Sequence, residues 1–428
     1  MSEPYVVPYD IVAQIIDIVG ENDDMILIKQ LALVSHSSYQ MCSKYLFATV
    51  NLHDDVPMQQ ASSKKGFVEL LERRPEVVKY IRHLTYKLEY NATSSCSDNL
   101  LSPVLPNFLR TISFLNCLTI TSSKLVDWDT VDSSLTSALL HLMHLPTIIH
   151  LDLSSIKNFP LSGLTSSKPV NLRRLDIDYL NLDEPDRDDD SQDDSPDVRV
   201  VVLPEVMPKI VEFHTSESYL LTEKLLRAKT QGGQPVFNFM DLRRLSISSF
   251  SCCSFEDGEN LEILLQKAKS LELLRFSVVS RMGFDEVVDV IFQSPTTRTL
   301  KELDLTLPFG SFSESGPFSF FAYFEAFAGN NMLEVLSLEV LVSGKDDFIG
   351  RTGLAFRKVE ELLVKAGWSA LRQVSFKVLI ECWKADVSEA LQSLPDKYLC
   401  HLPKLESIDF NYEWNIYSNA SDYDNESD

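Results

Sequence analysis

Between Val7 and Leu52 the apolar positions recur at helical spacing in three short runs. The first sets Ile11, Val12, Ile15, Ile16 and Val19 on a helix that Pro8 and Asp10 open. Gly20 is expected to end it, near where a C-terminal cap favours glycine. The second starts behind Asn22, Asp23 and Asp24, whose short polar side chains can accept from free helix amides, and carries Ile26, Leu27, Leu31, Leu33 and Val34. A third runs through Tyr39, Cys42, Leu46 and Phe47. Three helices this short cannot hide so many aliphatic side chains among themselves, so part of that surface is expected to be shared with another body.

After Leu52 the period changes. The pattern Leu-x-x-Leu-x-Leu, with other aliphatics or aromatics substituting, begins at Ile81, Leu109, Ile148, Leu172, Ile210, Leu242, Leu271, Leu300, Leu333, Leu371 and Leu405. Each copy alternates as a short strand does, and between copies lie amphipathic stretches of helical length such as Asn260 to Lys269, Phe284 to Gln293, Phe318 to Ala328 and Leu354 to Lys365. One strand and one helix cannot close a core alone, whereas stacked neighbours can. The repeat therefore predicts an α/β solenoid over 53–415, with parallel strands on a concave inner face and helices outside.

Composition narrows the function classes. The 428 residues include 14 glycines, few for phosphate-cradling loops. The net charge of −23 is concentrated: Asp183 to Asp197 holds nine acids and one base, and Asn411 to Asp428 five acids and no base. An acidic loop over 183–198 and an acidic tail over 416–428 are expected to be disordered. The rest is mildly acidic, which disfavours nucleic acid as a direct partner. Seven cysteines with no Cys-x-x-Cys pair fit a reducing compartment. No N-terminal export signal and no run of about 18 apolar residues is present, so the expected location is cytoplasmic, nuclear or both.

The N-terminal block resembles an F-box. The resemblance rests on Val7 and Pro8, then Ile11, Val12, Ile15 and Ile16, the acidic turn at Asp23 and Asp24, the run Leu31, Leu33, Val34 and Ser35, and the closing Leu46, Phe47, Val50 and Leu52. Tyr39 stands where the family often has Trp. With the leucine pattern behind it, residues 1–52 and 53–415 resemble an F-box protein with divergent leucine-rich repeats of the fungal type. That resemblance implies a non-catalytic substrate receptor of Skp-cullin-F-box ubiquitin ligases, with the F-box on a Skp-family adaptor, cullin and RING subunits beyond it, and a protein substrate on the repeats. Val7, Pro8, Ile11, Val12, Ile15, Ile16, Leu33 and Val34 are then the adaptor contacts. The alternative is a leucine-rich-repeat scaffold or regulator whose N-terminal helices cap the solenoid, distinguished by whether Pro8, Ile11 and Ile16 are buried against residues 53–110.

Residues that alternate with the leucines should form the inner face. They are polar and of both charges, and Arg174, Asp176, Arg244, Arg275, Asp304 and Lys377 are the candidates for substrate contact. Arg174, Arg244 and Arg275 are expected at matching strand positions, where they could pair with an acidic or phosphorylated segment. Regular repeats of this family place Asn or Cys three positions after the last leucine; here Ile156, Leu180 and Phe250 stand there, so the turns must close differently. No nucleophile elbow, dinucleotide loop or phosphate loop occurs, and no cofactor is expected. His141, His144 and His150 lie in an apolar segment and read as structural histidines rather than metal ligands. A hydrolase would need a nucleophile and a base brought together in space, and nothing in the spacing suggests one.

Overall fold

The structure is a computed structural model that describes residues 7–53, 64–88, 104–165, 171–182, 207–229, 233, 235–249, 255–278, 284–308, 324–329, 331–343, 348–365, 367–381, 388–405 and 407–417. The acidic loop at 183–198, the residues after Tyr417 and the start of the 318–328 stretch lie outside these. The chain divides into two compact units, one of residues 1–208 with 228–236, the other of 209–227 with 237–428.

The first unit opens with three helices, α1 (Tyr9–Glu21), α2 (Met25–Ala32) and α3 (His36–Leu46). The Pro8 carbonyl starts α1 by accepting from the Ile11 and Val12 amides. Asp24 caps α2 through the Leu27 amide at 3.0 Å, and Ser35 caps α3 through the Ser38 amide at 3.0 Å. Each cap gives an orphan N–H a partner at the point where the helix begins. Ile16, Ile28, Ala32 and Cys42 form the shared core, with Val12, Val19, Leu31 and Tyr45 around them.

Gly20 does not end α1. It lies inside the helix, where the missing side chain lets the Tyr45 ring lie against the backbone. The turn is made instead by Asp23, whose φ of 58° is left-handed.

Strand β1 (Thr49–Leu52) then starts a parallel sheet continued by β2 (His83–Leu88), β3 (Cys117–Ser122), β5 (His150–Phe159) and β6 (Arg174–Leu182), while the short β4 (Val126–Asp127) pairs with β5. Helices α4 (Lys64–Arg73), α5 (Val104–Leu109), α6 (Ser133–Met143) and α7 (Leu161–Thr165) cross between strands, and successive ones touch. The central leucines stand in one row, Leu84 beside Leu118, Leu151 and Leu175, all buried beneath the helices.

The second unit repeats the arrangement. Strands β7 (Glu212–Ser216), β8 (Arg244–Ser249), β9 (Leu273–Val278), β10 (Glu302–Pro308), β11 (Val335–Ser343), β12 (Gln373–Glu381) and β13 (Asp409–Tyr417) are parallel neighbours in chain order. Helices α8 (Tyr219–Arg227), α9 (Phe255–Lys267) and α10 (Phe284–Gln293) pack in succession, and a longer helix spans Phe348–Val364. The buried row runs Phe213, Leu245, Leu274, Leu303, Leu336, Val374. Strand β13 reaches Tyr417, so the expected tail boundary at 416 moves beyond it.

Without an asparagine ladder, the strand entries are joined by backbone. The Asn116 carbonyl accepts the amides of both Ile149 and His150, and the Ile149 carbonyl accepts those of Arg173 and Arg174. Glu272 does the same for Lys301 and Glu302. Because the pattern uses main-chain groups only, it places no demand on side-chain identity at these positions.

One expected strand is displaced. Leu109 ends α5, and Ile112 and Phe114 lie in the connection after it; the strand is β3, whose own copy of the pattern is Leu115, Leu118 and Ile120. Ile112 and Leu115 are both buried, so the spacing alone offered two equivalent registers.

Candidate functional site

Two surfaces carry the nominated residues. On the N-terminal helices, α1 presents two stripes offset by one residue. Val12, Ile16 and Val19 face the core, and Ile11, Ile15 and Ile18 face outward. Leu33 is 87% exposed and Val34 73%, both in the turn between α2 and α3. Val7, Ile26 and Leu27 are exposed as well, as is Pro8. Of the eight expected adaptor contacts, Ile16 is corrected: at 0% exposure it holds the three helices together and cannot touch a partner. Val12 is half-buried against the same core. This block meets the rest of the unit through α3, where the Arg74 guanidinium lies 4.7 Å from the Tyr39 ring centre, and through the residues just after it, where the Ala48 carbonyl accepts the Arg82 and His83 amides.

The second surface is the sheet face away from the helices. In the second unit the nominated charges are paired across neighbouring strands: Arg275 with Asp304 at 2.7 Å, Lys377 with Glu339 at 2.7 Å and Arg244 with Glu212 at 3.9 Å. The strand register also corrects the arginine alignment. Arg244 is level with Leu273, and Arg275 is level with Ser246, so Arg275 stands two residues further along its strand than the matched position.

In the first unit the register brings together residues that the sequence pattern alone leaves apart. Cys117, His150 and Arg174 stand side by side in one row, with Thr119, Asp152 and Asp176 in the next. The Cys117 Sγ lies 3.2 Å from His150 Nδ1, and His150 Nε2 lies 2.8 Å from Asp176 Oδ2. Arg174 closes the line, its Nε and Nη2 donating to the Asp176 carboxylate at 2.9 and 2.8 Å. Thr119 Oγ1 donates to Asp152 at 3.3 Å, and Ser154 Oγ to Thr121 Oγ1 at 2.7 Å. Beyond them β5 and β6 both turn through left-handed residues, Ser155 and Tyr179, next to the partly buried Asp178.

The electrostatics follow from this packing. Burial alone would raise the Asp176 carboxyl, but the His150 and Arg174 hydrogen bonds outweigh it and hold the group below its ordinary value. At Asp152 burial, together with the Asp176 charge, outweighs the nearby His150 charge and the Thr119 bond and pushes the carboxyl up. Burial would lower His150, yet the bonds to Asp176 and Cys117 raise it to about 9. His150 is thus an imidazolium at neutral pH that donates from both ring nitrogens.

Cys117 escapes the sequence pattern because the expected strand starts six residues early. The copy at Leu115 puts Cys117 in the position that Arg174 holds on its own strand, which is the signal that would have found it. His141 and His144 do not join this cluster; the ring of His144 meets the Gly163 carbonyl at 2.9 Å. Among the described residues no group of three His, Cys, Asp or Glu side chains could hold a metal ion, and no helix is long and apolar enough to cross a membrane. No family model matches the chain, and no curated protein does.

Proposed function

We propose that the chain is a substrate receptor of a Skp-cullin-F-box ubiquitin ligase, engaging a Skp-family adaptor through its first three helices and a protein substrate through the open faces of its sheets, in the cytoplasm or nucleus. What carries the reading is the double stripe of α1 together with Leu33 and Val34: an apolar outer surface on a block that already has its own core of Ile16, Ile28, Ala32 and Cys42. Apolar anchors in excess of a domain's own packing suit a groove on a partner. Such a receptor makes and breaks no bonds; it raises the local concentration of substrate near the conjugating enzyme.

Substrate contact on this reading is short-range and mixed in charge. The pairing of Arg275, Lys377 and Arg244 with acids leaves little net positive field to draw a phosphorylated segment, so recognition depends on donors and acceptors matched one by one. The scaffold reading would have Pro8, Ile11 and Ile16 buried against residues 53–110; Pro8 and Ile11 are exposed, and Ile16 is buried in the helices' own core with Ile28, Ala32 and Cys42.

The test is copurification of the full chain with a Skp-family adaptor, comparing wild type with Leu33→Asp, Val34→Asp. Stoichiometric capture that the exposed-surface variant loses supports the receptor reading. Failure of the folded wild-type chain to bind any Skp-family adaptor refutes it and returns the helices to a capping role.

A further inference from the structure

Three cysteines with described surroundings differ sharply in setting. Cys42 is enclosed in the core of the first three helices, where burial pushes its thiol up. Cys400 is exposed and meets the backbone carbonyls of Asp396 and Lys397, at 3.5 and 3.8 Å. Cys117 is half-exposed on an open sheet face, with an imidazole nitrogen 3.2 Å from its sulfur and a carboxylate fixing the far side of that ring.

We propose that Cys117 is a nucleophilic thiol that reacts with small hydroperoxides to give a sulfenic acid. The order thiol, imidazole, carboxylate is what an activated sulfur nucleophile needs: the ring exchanges a proton with sulfur, and the carboxylate fixes its orientation. Geometry supports the same reading: Asp176 holds one side of the His150 ring and is itself held by Arg174, which leaves the other ring nitrogen, Nδ1, aimed at sulfur. Among the described residues the other ionisable groups on these strands' open face are His83, level with Cys117 on β2, Asp152 in the next row on β5, and Lys87 and Asp178 at the far end of the rows.

In the reaction the anionic sulfur attacks one peroxide oxygen; the S–O bond forms as the O–O bond breaks. The bonding pair leaves on the departing oxygen, which takes the Nδ1 proton of His150. Sulfur is oxidised by two electrons to the sulfenic acid, and the peroxide is reduced to water or an alcohol. Acyl transfer is not part of the proposal. Amides of a parallel ladder lie in the plane of the sheet, so none projects from this face toward a developing oxyanion.

The inference does not rest on the ligase reading, since it concerns the chemistry of one side chain. The experiment exposes the full-length chain to hydrogen peroxide with dimedone present and follows labelling of Cys117 and Cys400 by peptide mass mapping in the same sample. Cys117 should be labelled about tenfold faster or more, a modest share of what a positioned acid–base group supplies. His150→Gln should bring it down to the rate of Cys400, and Asp176→Asn should lower it in part. Labelling of Cys117 no faster than Cys400 in the wild-type chain overturns the proposal without recourse to a variant. So does a rate that His150→Gln leaves unchanged.

Discussion

His150 Nε2 lies 2.8 Å from Asp176 Oδ2, on the neighbouring strand of the sheet. The pairing ties stability to pH. Burial would lower His150, but its bonds to Asp176 and Cys117 raise it to about 9, against roughly 6.5 for an unfolded histidine. A group raised on folding contributes fully below its unfolded value and loses that contribution as pH rises through its folded one. Asp176 is shifted down, so its own contribution is present above its unfolded value and is lost as pH falls through the folded one. Urea unfolding of the wild-type chain should therefore weaken between about pH 6.5 and 9.5 by on the order of 1 to 3 kcal/mol more than that of His150→Gln. Parallel curves for the two proteins would show that the pair does not couple to folding.

Gly20 sits in α1 with the Tyr45 ring so close that a Cβ there would stand 2.4 Å from it. Glycine inside a helix normally gives way to alanine with a gain of about 0.5 to 1 kcal/mol. Here the sign should reverse. The Tyr45 hydroxyl donates to Asp17, which also pairs with Lys44 at 2.8 Å, so the ring cannot swing aside without losing that bond. Gly20→Ala is expected to cost about 1 to 3 kcal/mol, as overpacking does. Adding Tyr45→Ala should make the alanine at position 20 neutral or favourable. Thermal unfolding of the two single variants and the double variant measures this.

How far the sequence spoke depended on whether a signal was periodic or spatial. The rows of buried leucines could be read directly, because a side chain that repeats every second position has only two faces to choose between. The register between neighbours could not. Leu109, Ile112 and Leu115 are spaced so that the strand pattern fits from either end, and a six-residue difference moved Cys117 out of the set of face residues. Arg275 is a different case: the pattern starts at Leu242 and Leu271 already set it two residues beyond the level of Arg244, and its partner is Asp304. Gly20 looked like a cap because a cap is a local event, whereas its actual neighbour, Tyr45, is 25 positions away.

Ile16 and Leu33 belong to the same apolar pattern and should behave oppositely. Ile16 is enclosed, so an aspartate there buries a charge with no partner and is expected to unfold the first three helices. Leu33 is almost wholly in solvent, and Leu33→Asp should change stability by no more than about 0.5 kcal/mol. Circular dichroism melts of the two full-length variants would separate them, and a large loss for Leu33→Asp would mean that its surface is already covered within the chain.

Glu360 offers a test in the second unit. It lies on the helix Phe348–Val364, is 3% exposed, and its Oε1 accepts the amides of His401 at 2.5 Å and Leu402 at 2.9 Å. Those two amides open a short turn at Leu402–Lys404 that leads into β13, so one carboxylate oxygen caps a segment more than forty residues away. Replacing it with alanine leaves two backbone donors without their partner and opens space beside the buried Leu402. Glu360→Ala should cost about 2 to 4 kcal/mol, since each bond to a charged acceptor is worth about 1.5 to 3. Glu360→Gln keeps an oxygen in place but gives up its charge, so its cost should be roughly half. Hydrogen exchange at the His401 and Leu402 amides reports the local effect: both should exchange faster in the alanine variant, with β13 following. Protection unchanged in Glu360→Ala would mean that the turn is held by its own backbone bond from the Leu405 amide to the Leu402 carbonyl, and that the carboxylate adds nothing to it.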